Sequence, residues 1–171
     1  MLNLFKLKKS GISKKVFIEN FINDPNHVWI KENIKIKRII EYFLEDFTEE
    51  ELSFFNIHKT YLIPCEASLS CAIGSTKDHH LILVFPELKN LILSASPTHA
   101  LAILYHEFGH IYYQHTENKV ETLKAQIEAD DFAFKHGYGE ELQEILLDHI
   151  NSIDCRVRIS KLTAKLISNK Y

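Results

Sequence analysis

The chain is poor in residues that break regular structure: its 171 residues include only five glycines and four prolines. This composition leaves little room for low-complexity linkers. No apolar run reaches the roughly 18 residues that a membrane-spanning helix needs. The nearest one, residues 81–93, is interrupted by Pro86 and Glu87. We therefore expect a folded domain of ordinary composition with no membrane span.

Cysteine is scarce as well. Cys65, Cys71 and Cys155 are an odd number and lack the spacing of a metal site. They are typical of reduced, packed thiols in a cytoplasmic protein, with a Cys65–Cys71 disulfide as the alternative. The lysine-rich start of the chain has neither a long apolar core nor a small-residue cleavage site, so we do not expect a signal peptide.

The charge is unevenly distributed. Residues 1–40 contain nine Lys and Arg against three Asp and Glu, whereas residues 41–171 contain eleven against twenty. A basic first quarter could bind nucleic acid or an anionic membrane. No aromatic or glycine-rich binding pattern accompanies the lysines, which favours a solvated helical face docked on an acidic body. A nucleic-acid partner is therefore not expected.

The order of local patterns predicts an α+β fold. Helices are expected at residues 16–23, 27–47 and 49–55, the last with a capping box that begins at Thr48. Strand patterns follow at residues 61–63, 70–73 and 81–85, with a hairpin-like turn at 74–78. Beyond Glu87 the patterns are helical, and Gly137 to Gly139 separate two of these helices. We interpret residues 1–171 as a single domain.

The most informative residues are His106, Glu107 and His110, which form an H-E-x-x-H motif. Side chains four residues apart on a helix lie one turn above each other on the same face. His106 and His110 can therefore hold one Zn²⁺, and Glu107 lies beside the open coordination position where a water molecule would bind. This is the minimal set for metal-assisted hydrolysis, with Glu107 as the general base.

The residues around the motif support a helix. Ser96 offers an N-cap and Pro97 suits the first helical position. An apolar stripe then recurs at three-and-four spacing, formed by Leu101, Leu104, Tyr105, Phe108, Ile111 and Tyr112. Gly109 costs a helix about 1 kcal/mol relative to alanine. Its presence indicates that another backbone packs closely there; a merely tolerated glycine is the alternative.

A third ligand is expected from the acidic helical stretch at residues 118–136. Its carboxylates lie beside apolar residues such as Ile127 and Phe132. A carboxylate beside a buried stripe needs a charged partner, and a metal ion would supply one. Glu128 and Asp131 are the candidates for the third ligand. Asp130 or Asp131 is expected to orient a ligating histidine.

With these residues in view, the chain resembles the gluzincin metallopeptidases, in which two histidines of one helix and a glutamate of a second bind zinc. The similarity covers roughly residues 65–165. It is greatest to the minigluzincins and to the catalytic cores of type I CAAX prenyl proteases. It includes residues 71–74 and 80–85 before the motif and Arg158–Leu162 after it. The resemblance implies a mainly helical, zincin-like fold with a small sheet before the H-E-x-x-H helix.

The acidic motif departs from part of that family. In the membrane-peptidase branch the ligand glutamate occupies the position of Gln126. Residues 128–133, Glu-Ala-Asp-Asp-Phe-Ala, are instead similar to the E-A-N-x-F-A motif of the repressor-cleaving and radiation-response peptidases. This resemblance implies Glu128 as the third ligand, with Asp131 as the next candidate.

The resulting hypothesis is a zinc-dependent endopeptidase that acts on a peptide or protein. Residues 61–171 would form the zincin-like core, and the N-terminal helical region, residues 1–60, could act as a propeptide or cap. The resemblance implies that part of residues 81–85 pairs with an extended substrate through backbone hydrogen bonds. Candidate donors for the oxyanion are His149, Arg158, Tyr138 and His136.

Two further points qualify this hypothesis. A catalytically inert, zinc-stabilised module that binds a protein or nucleic-acid partner is the alternative function. A second metal site is not expected from the remaining histidines considered, which are His79, His80, His99 and His115.

Overall fold

The computed structural model describes residues 12–66 and 79–169. Most of these residues are helical, and two short strands precede the H-E-x-x-H helix, so the α+β composition is confirmed. The elements are, in chain order, α1 (Lys14–Asn23), a 3₁₀ turn (Pro25–His27), α2 (Val28–Lys31), α3 (Ile34–Asp46), α4 (Glu49–Ile57), β1 (Thr60–Pro64), β2 (His80–Val84), α5 (Pro86–Ile92), α6 (Thr98–Tyr112), α7 (His115–Asn118), α8 (Thr122–Lys135), α9 (Gly139–Leu147) and α10 (Ile153–Ser168).

The single helix predicted for residues 27–47 is wrong. Helix α2 ends at Lys31, and α3 begins at Ile34. Between them, the side chain of Asn33 accepts hydrogen bonds from the backbone N–H groups of Lys35 and Ile36. An asparagine in this position caps a new helix, so α2 and α3 are separate. The capping box predicted at Thr48 is confirmed, because Thr48 and Glu51 exchange side-chain to backbone hydrogen bonds at the start of α4.

The two described strands form a parallel sheet. Thr60 lies opposite His80, and the register continues to Pro64 opposite Val84. The strand patterns predicted at residues 61–63 and 81–85 therefore correspond to real strands. The strand predicted at 70–73 and the turn predicted at 74–78 lie outside the described residues.

The start of α6 differs by one residue from the prediction. Pro97 is the N-cap residue and the helix begins at Thr98, with no side-chain capping bond. The carbonyl oxygen of Ser96 accepts a hydrogen bond from the Ser94 hydroxyl. Proline lacks an N–H group, so it costs nothing at this end of a helix even without a capping side chain.

The N-terminal helices share one hydrophobic core with α6. The ring of Phe43 lies 4.6 Å from that of Tyr105 and 4.9 Å from that of Phe108. Phe47 and Phe55 also contact Phe108, with ring centroids 5.5 and 4.9 Å away. These five aromatic side chains are almost completely buried. Helix α6 thus packs on side chains of the N-terminal helical region.

Two expectations about the class of protein can be compared with the described residues. None of their helices is both long enough and apolar enough to cross a membrane. Cys65 and Cys155 are free thiols, as predicted. Cys71 lies outside the described residues, so its predicted state stays a prediction.

A buried histidine joins α1 to the sheet. His27 is completely buried; its Nδ1 lies 2.6 Å from the carbonyl oxygen of Phe21, and its Nε2 lies 3.0 Å from the backbone nitrogen of Leu62. Nδ1 therefore donates to Phe21 and Nε2 accepts from Leu62, so the ring is neutral. Burial lowers the pKa of His27 below its ordinary value, against the opposing effects of Phe21 and Asp24.

This geometry predicts acid sensitivity. The folded state has the lower pKa, so the unfolded chain binds a proton that the folded protein does not, and stability falls as the pH drops below about 6.5. Between pH 7.5 and 5.5, the unfolding free energy of His27→Gln should fall less than that of the unmodified protein, by at most about 1.4 kcal/mol. Urea unfolding at the two pH values measures this. The exposed His149, changed to Gln, is the control. An equal loss in His27→Gln and the unmodified protein would contradict the assignment.

Candidate metal centre

The backbones of α6 and α8 approach each other closely at Gly109. A Cβ atom on Gly109 would lie 2.8 Å from the Cβ of Phe132 and 3.1 Å from the Cα of Ala129. Any side chain there would push the two helices apart. The close backbone approach predicted from Gly109 is confirmed, and it brings the histidines of α6 within reach of the polar side chains of α8.

The two histidines of the motif converge on one point. His106 and His110 lie one turn apart on α6, and their Nε2 atoms are 3.1 Å from each other. Their ring planes are nearly perpendicular, at 84°. This separation suits two nitrogens that share one Zn²⁺ at about 2.0–2.1 Å each. The imidazole pair therefore fits a zinc ion.

Asp130 supports His106 from the opposite side of the ring. Oδ1 of Asp130 lies 2.8 Å from Nδ1 of His106, although the N–H bond does not point squarely at that oxygen. Arg158 donates two hydrogen bonds to the same carboxylate, at 2.7 and 2.6 Å. Burial by itself would raise the pKa of Asp130, but the bonds from Arg158 and His106 outweigh it and lower that pKa. An ionised Asp130 favours a proton on Nδ1 and leaves the lone pair on Nε2.

His110 has a second histidine behind it. Its Nδ1 lies 2.8 Å from Nδ1 of His115, and Nε2 of His115 lies 3.0 Å from Oε2 of Glu128. Burial, followed by the proximity of His106 and His115, lowers the pKa of His110 to about 3. His110 is consequently neutral at ordinary pH, as an imidazole must be to bind a metal ion.

The predicted third ligand, Glu128, does not lie with the two Nε2 atoms. Its carboxylate contacts His115 and, at 3.7 Å, the ammonium group of Lys124. The α8 side chain that reaches the pair is Gln126, whose Nε2 lies 3.3 Å from Nε2 of His110. At 100° per residue, Glu128 is rotated roughly 200° from Gln126 around α8. The assignment of Glu128 as a ligand stays a prediction.

The two aspartates that follow have separate partners. Asp130 is the one that supports a histidine, whereas Asp131, the next candidate ligand, forms an ion pair with Lys165 of α10. Within residues 12–66 and 79–169, no group of three or more His, Cys, Asp or Glu side chains is arranged to hold a metal ion. The described structure brings the imidazoles of His106 and His110 and the amide of Gln126 to the convergence point.

Glu107 and the candidate oxyanion donors occupy different surroundings. Glu107 follows His106 on α6 and is partly exposed. Of the four candidate donors, only Arg158 approaches the site, and both of its donating groups are directed at Asp130. The other three lie elsewhere: His136 is 2.6 Å from Asp46, the ring of Tyr138 stacks on Tyr105, and His149 is exposed beyond α9.

His115 is the site residue that sequence reasoning missed. It was considered only for a second metal site, yet it is buried and links His110 to Glu128. Gln114, in the left-handed conformation with φ of 54°, reverses the chain after α6 and brings His115 back toward the motif. The position of His115, five residues after His110, was the available signal in the sequence. Side chains five residues apart do not lie on the same face of a helix, so the spacing did not indicate a contact.

Comparisons of the chain with protein-family models, with curated proteins and with solved structures find no match. What the protein does must therefore be inferred from the residues of α6 and α8 and from their geometry.

Proposed function

We propose that this protein is a zinc-dependent endopeptidase with a zincin-like core, which hydrolyses a bond in a peptide or protein substrate. The observation that carries this proposal is the 3.1 Å approach of the Nε2 atoms of His106 and His110 on a helix that also presents Glu107. Two imidazoles that face each other, with a carboxylate one residue away, are the residues that metal-assisted hydrolysis requires.

The chain's own residues have distinct tasks in this reaction. Zinc, when bound by His106 and His110 with Glu128 as the predicted third ligand, would polarise a water molecule and the substrate carbonyl. Asp130, held by Arg158, orients His106. Glu107 accepts a proton from the attacking water as general base. It then delivers that proton to the leaving amine nitrogen as the peptide C–N bond breaks.

A specific observation favours a second candidate, a catalytically inert zinc-stabilised module that binds a partner. The α8 side chain that approaches the Nε2 atom of His110 is the neutral amide of Gln126, at 3.3 Å, and not a carboxylate. Zinc sites in proteins are usually completed by thiolate, imidazole or carboxylate groups. With only two imidazoles and an amide, the site departs from catalytic zinc sites, which hold the metal ion with three strong protein ligands.

Zinc content tests the feature that both candidates share. The purified protein should bind one zinc ion per chain, removable by a chelator, and His106→Ala should reduce that content to background while the circular dichroism spectrum stays helical. His99→Ala is the matched control, because His99 is also on α6 but pairs with Glu144 at 2.9 Å. Equal zinc content in His106→Ala and in the control would remove the basis of the proposal.

A further inference from the structure

The polar side chains of α8 divide into two sets. Gln126 and Asp130 are four residues apart, share one side of the helix, and reach His110 and His106 respectively. Glu128 lies on the other flank of the α6–α8 contact and reaches His115 instead. Glu128, the predicted ligand, is therefore connected to His110 through His115.

Within the series His110, His115 and Glu128, the donor and acceptor roles follow from the chemistry of Glu128. An ionised carboxylate only accepts hydrogen bonds, so Nε2 of His115 must donate to Glu128. A neutral His115 then has a lone pair on Nδ1, which must accept. The Nδ1 of His110, 2.8 Å away, is accordingly the donor. The lone pair of His110 is then on Nε2, which lies 3.3 Å from the amide nitrogen of Gln126 and 3.1 Å from Nε2 of His106.

We propose that Glu128 and His115 form a positioning pair that orients His110, and that Gln126, rather than Glu128, faces the position between the two motif histidines. This inference rests on the zinc site of the proposed function, and it replaces the predicted third ligand there: Glu128 becomes a positioning residue instead of a ligand. Each motif imidazole then has a carboxylate behind it: Asp130 acts directly on His106, and Glu128 acts on His110 through His115.

In this arrangement, the close approach of the two Nε2 atoms calls for a cation between them. Both rings have their proton on Nδ1, so two lone pairs face each other at 3.1 Å with no proton between them. Two acceptors in contact repel each other unless a cation lies between them. Partners that fix the tautomer and raise the basicity of a ligating histidine typically change metal affinity about 10- to 100-fold.

Zinc affinity, measured by competition with a chromophoric chelator, separates positioning from ligation. Glu128→Ala and His115→Ala should each weaken binding roughly 10- to 100-fold, and the double variant should be no weaker than either single one. Glu128→Gln should recover most of the affinity, because its amide oxygen still accepts from His115. Lys124→Ala is the control, since it removes the other contact of Glu128 and should have no effect.

The opposite pattern would overturn the positioning pair. If Glu128 were a direct ligand, Glu128→Gln would lose as much affinity as Glu128→Ala, and His115→Ala would bind zinc nearly as well as the unmodified protein. Gln126→Glu supplies the complementary arm. A carboxylate at position 126 should tighten zinc binding at least about tenfold, since zinc prefers a carboxylate to an amide. Unchanged affinity in Gln126→Glu would exclude the role given to Gln126.

A metal-free readout keeps this inference distinct from the proposed function. In protein with ¹⁵N-labelled histidine, two-bond ¹H–¹⁵N spectra should report His110 with its proton on Nδ1, and Glu128→Ala should mix its tautomers. If the protein bound no zinc but His110 responded in this way, the enzyme proposal would fail and the pair would stand. A tautomer of His110 that is insensitive to Glu128 and His115 would remove the pair whatever the zinc content.

Discussion

Replacing Glu107 by glutamine is expected to lower kcat/KM for peptide cleavage by roughly 100- to 10,000-fold, the usual contribution of a general acid–base group. Glutamine has nearly the same shape as glutamate, but its amide cannot take a proton from water. Glu107 is not one of the predicted ligands, so the zinc content should stay at that of the unmodified protein. Loss of turnover with the metal retained would identify Glu107 as the base.

Fluorescently labelled casein, a generic unfolded substrate, provides the assay, with and without a chelator. Glu144→Gln is the matched control, because Glu144 is exposed on α9 and pairs with His99 on the opposite end of α6 from the motif. Chelator-sensitive cleavage that persists in Glu107→Gln would show that the mechanism is wrong. If casein and a broad peptide library all stay uncleaved by zinc-loaded protein, the inert binding module becomes the better account.

Deleting residues 1–55 is expected to abolish the cooperative fold. The deletion removes Phe43, Phe47 and Phe55, which are almost fully buried against Tyr105 and Phe108 of α6. Truncating one buried phenylalanine to alanine typically costs about 3–5 kcal/mol. Losing three of them costs about 9–15 kcal/mol, which is as large as the roughly 5–15 kcal/mol that holds a domain folded.

Circular dichroism and urea titration of the truncated chain check this expectation. A propeptide or cap predicts the opposite result, a folded protein with higher activity after truncation. The point variant Phe47→Ala gives a graded test and should lose about 3–5 kcal/mol of unfolding free energy. Ile34→Ala, at a side chain that is 63% exposed, should change stability by less than about 0.5 kcal/mol. Equal effects of the two variants would contradict a shared core.

Local patterns predicted much of the fold correctly. The H-E-x-x-H helix, the capping box at Thr48 and the role of Gly109 each depend on residues within one or two turns of each other, or on a steric property of a single residue. The break at Asn33 was missed because the apolar pattern continues across it. An asparagine within a continuous apolar pattern caps a helix only if the backbone turns at that residue. Contacts with neighbouring elements determine whether it turns.

In the candidate site, local patterns and tertiary contacts likewise determine different features. The four-residue spacing of His106 and His110 by itself determined that two imidazoles meet on one face of a helix, because a helix imposes that geometry wherever it lies. Which side chain of α8 they meet was decided only by the tertiary structure. The contact of Gly109 with Ala129 and Phe132 sets the rotation of α8, directs Gln126 and Asp130 at the pair, and turns Glu128 toward His115. That rotation depends on side chains distant in sequence, and no local pattern contains it.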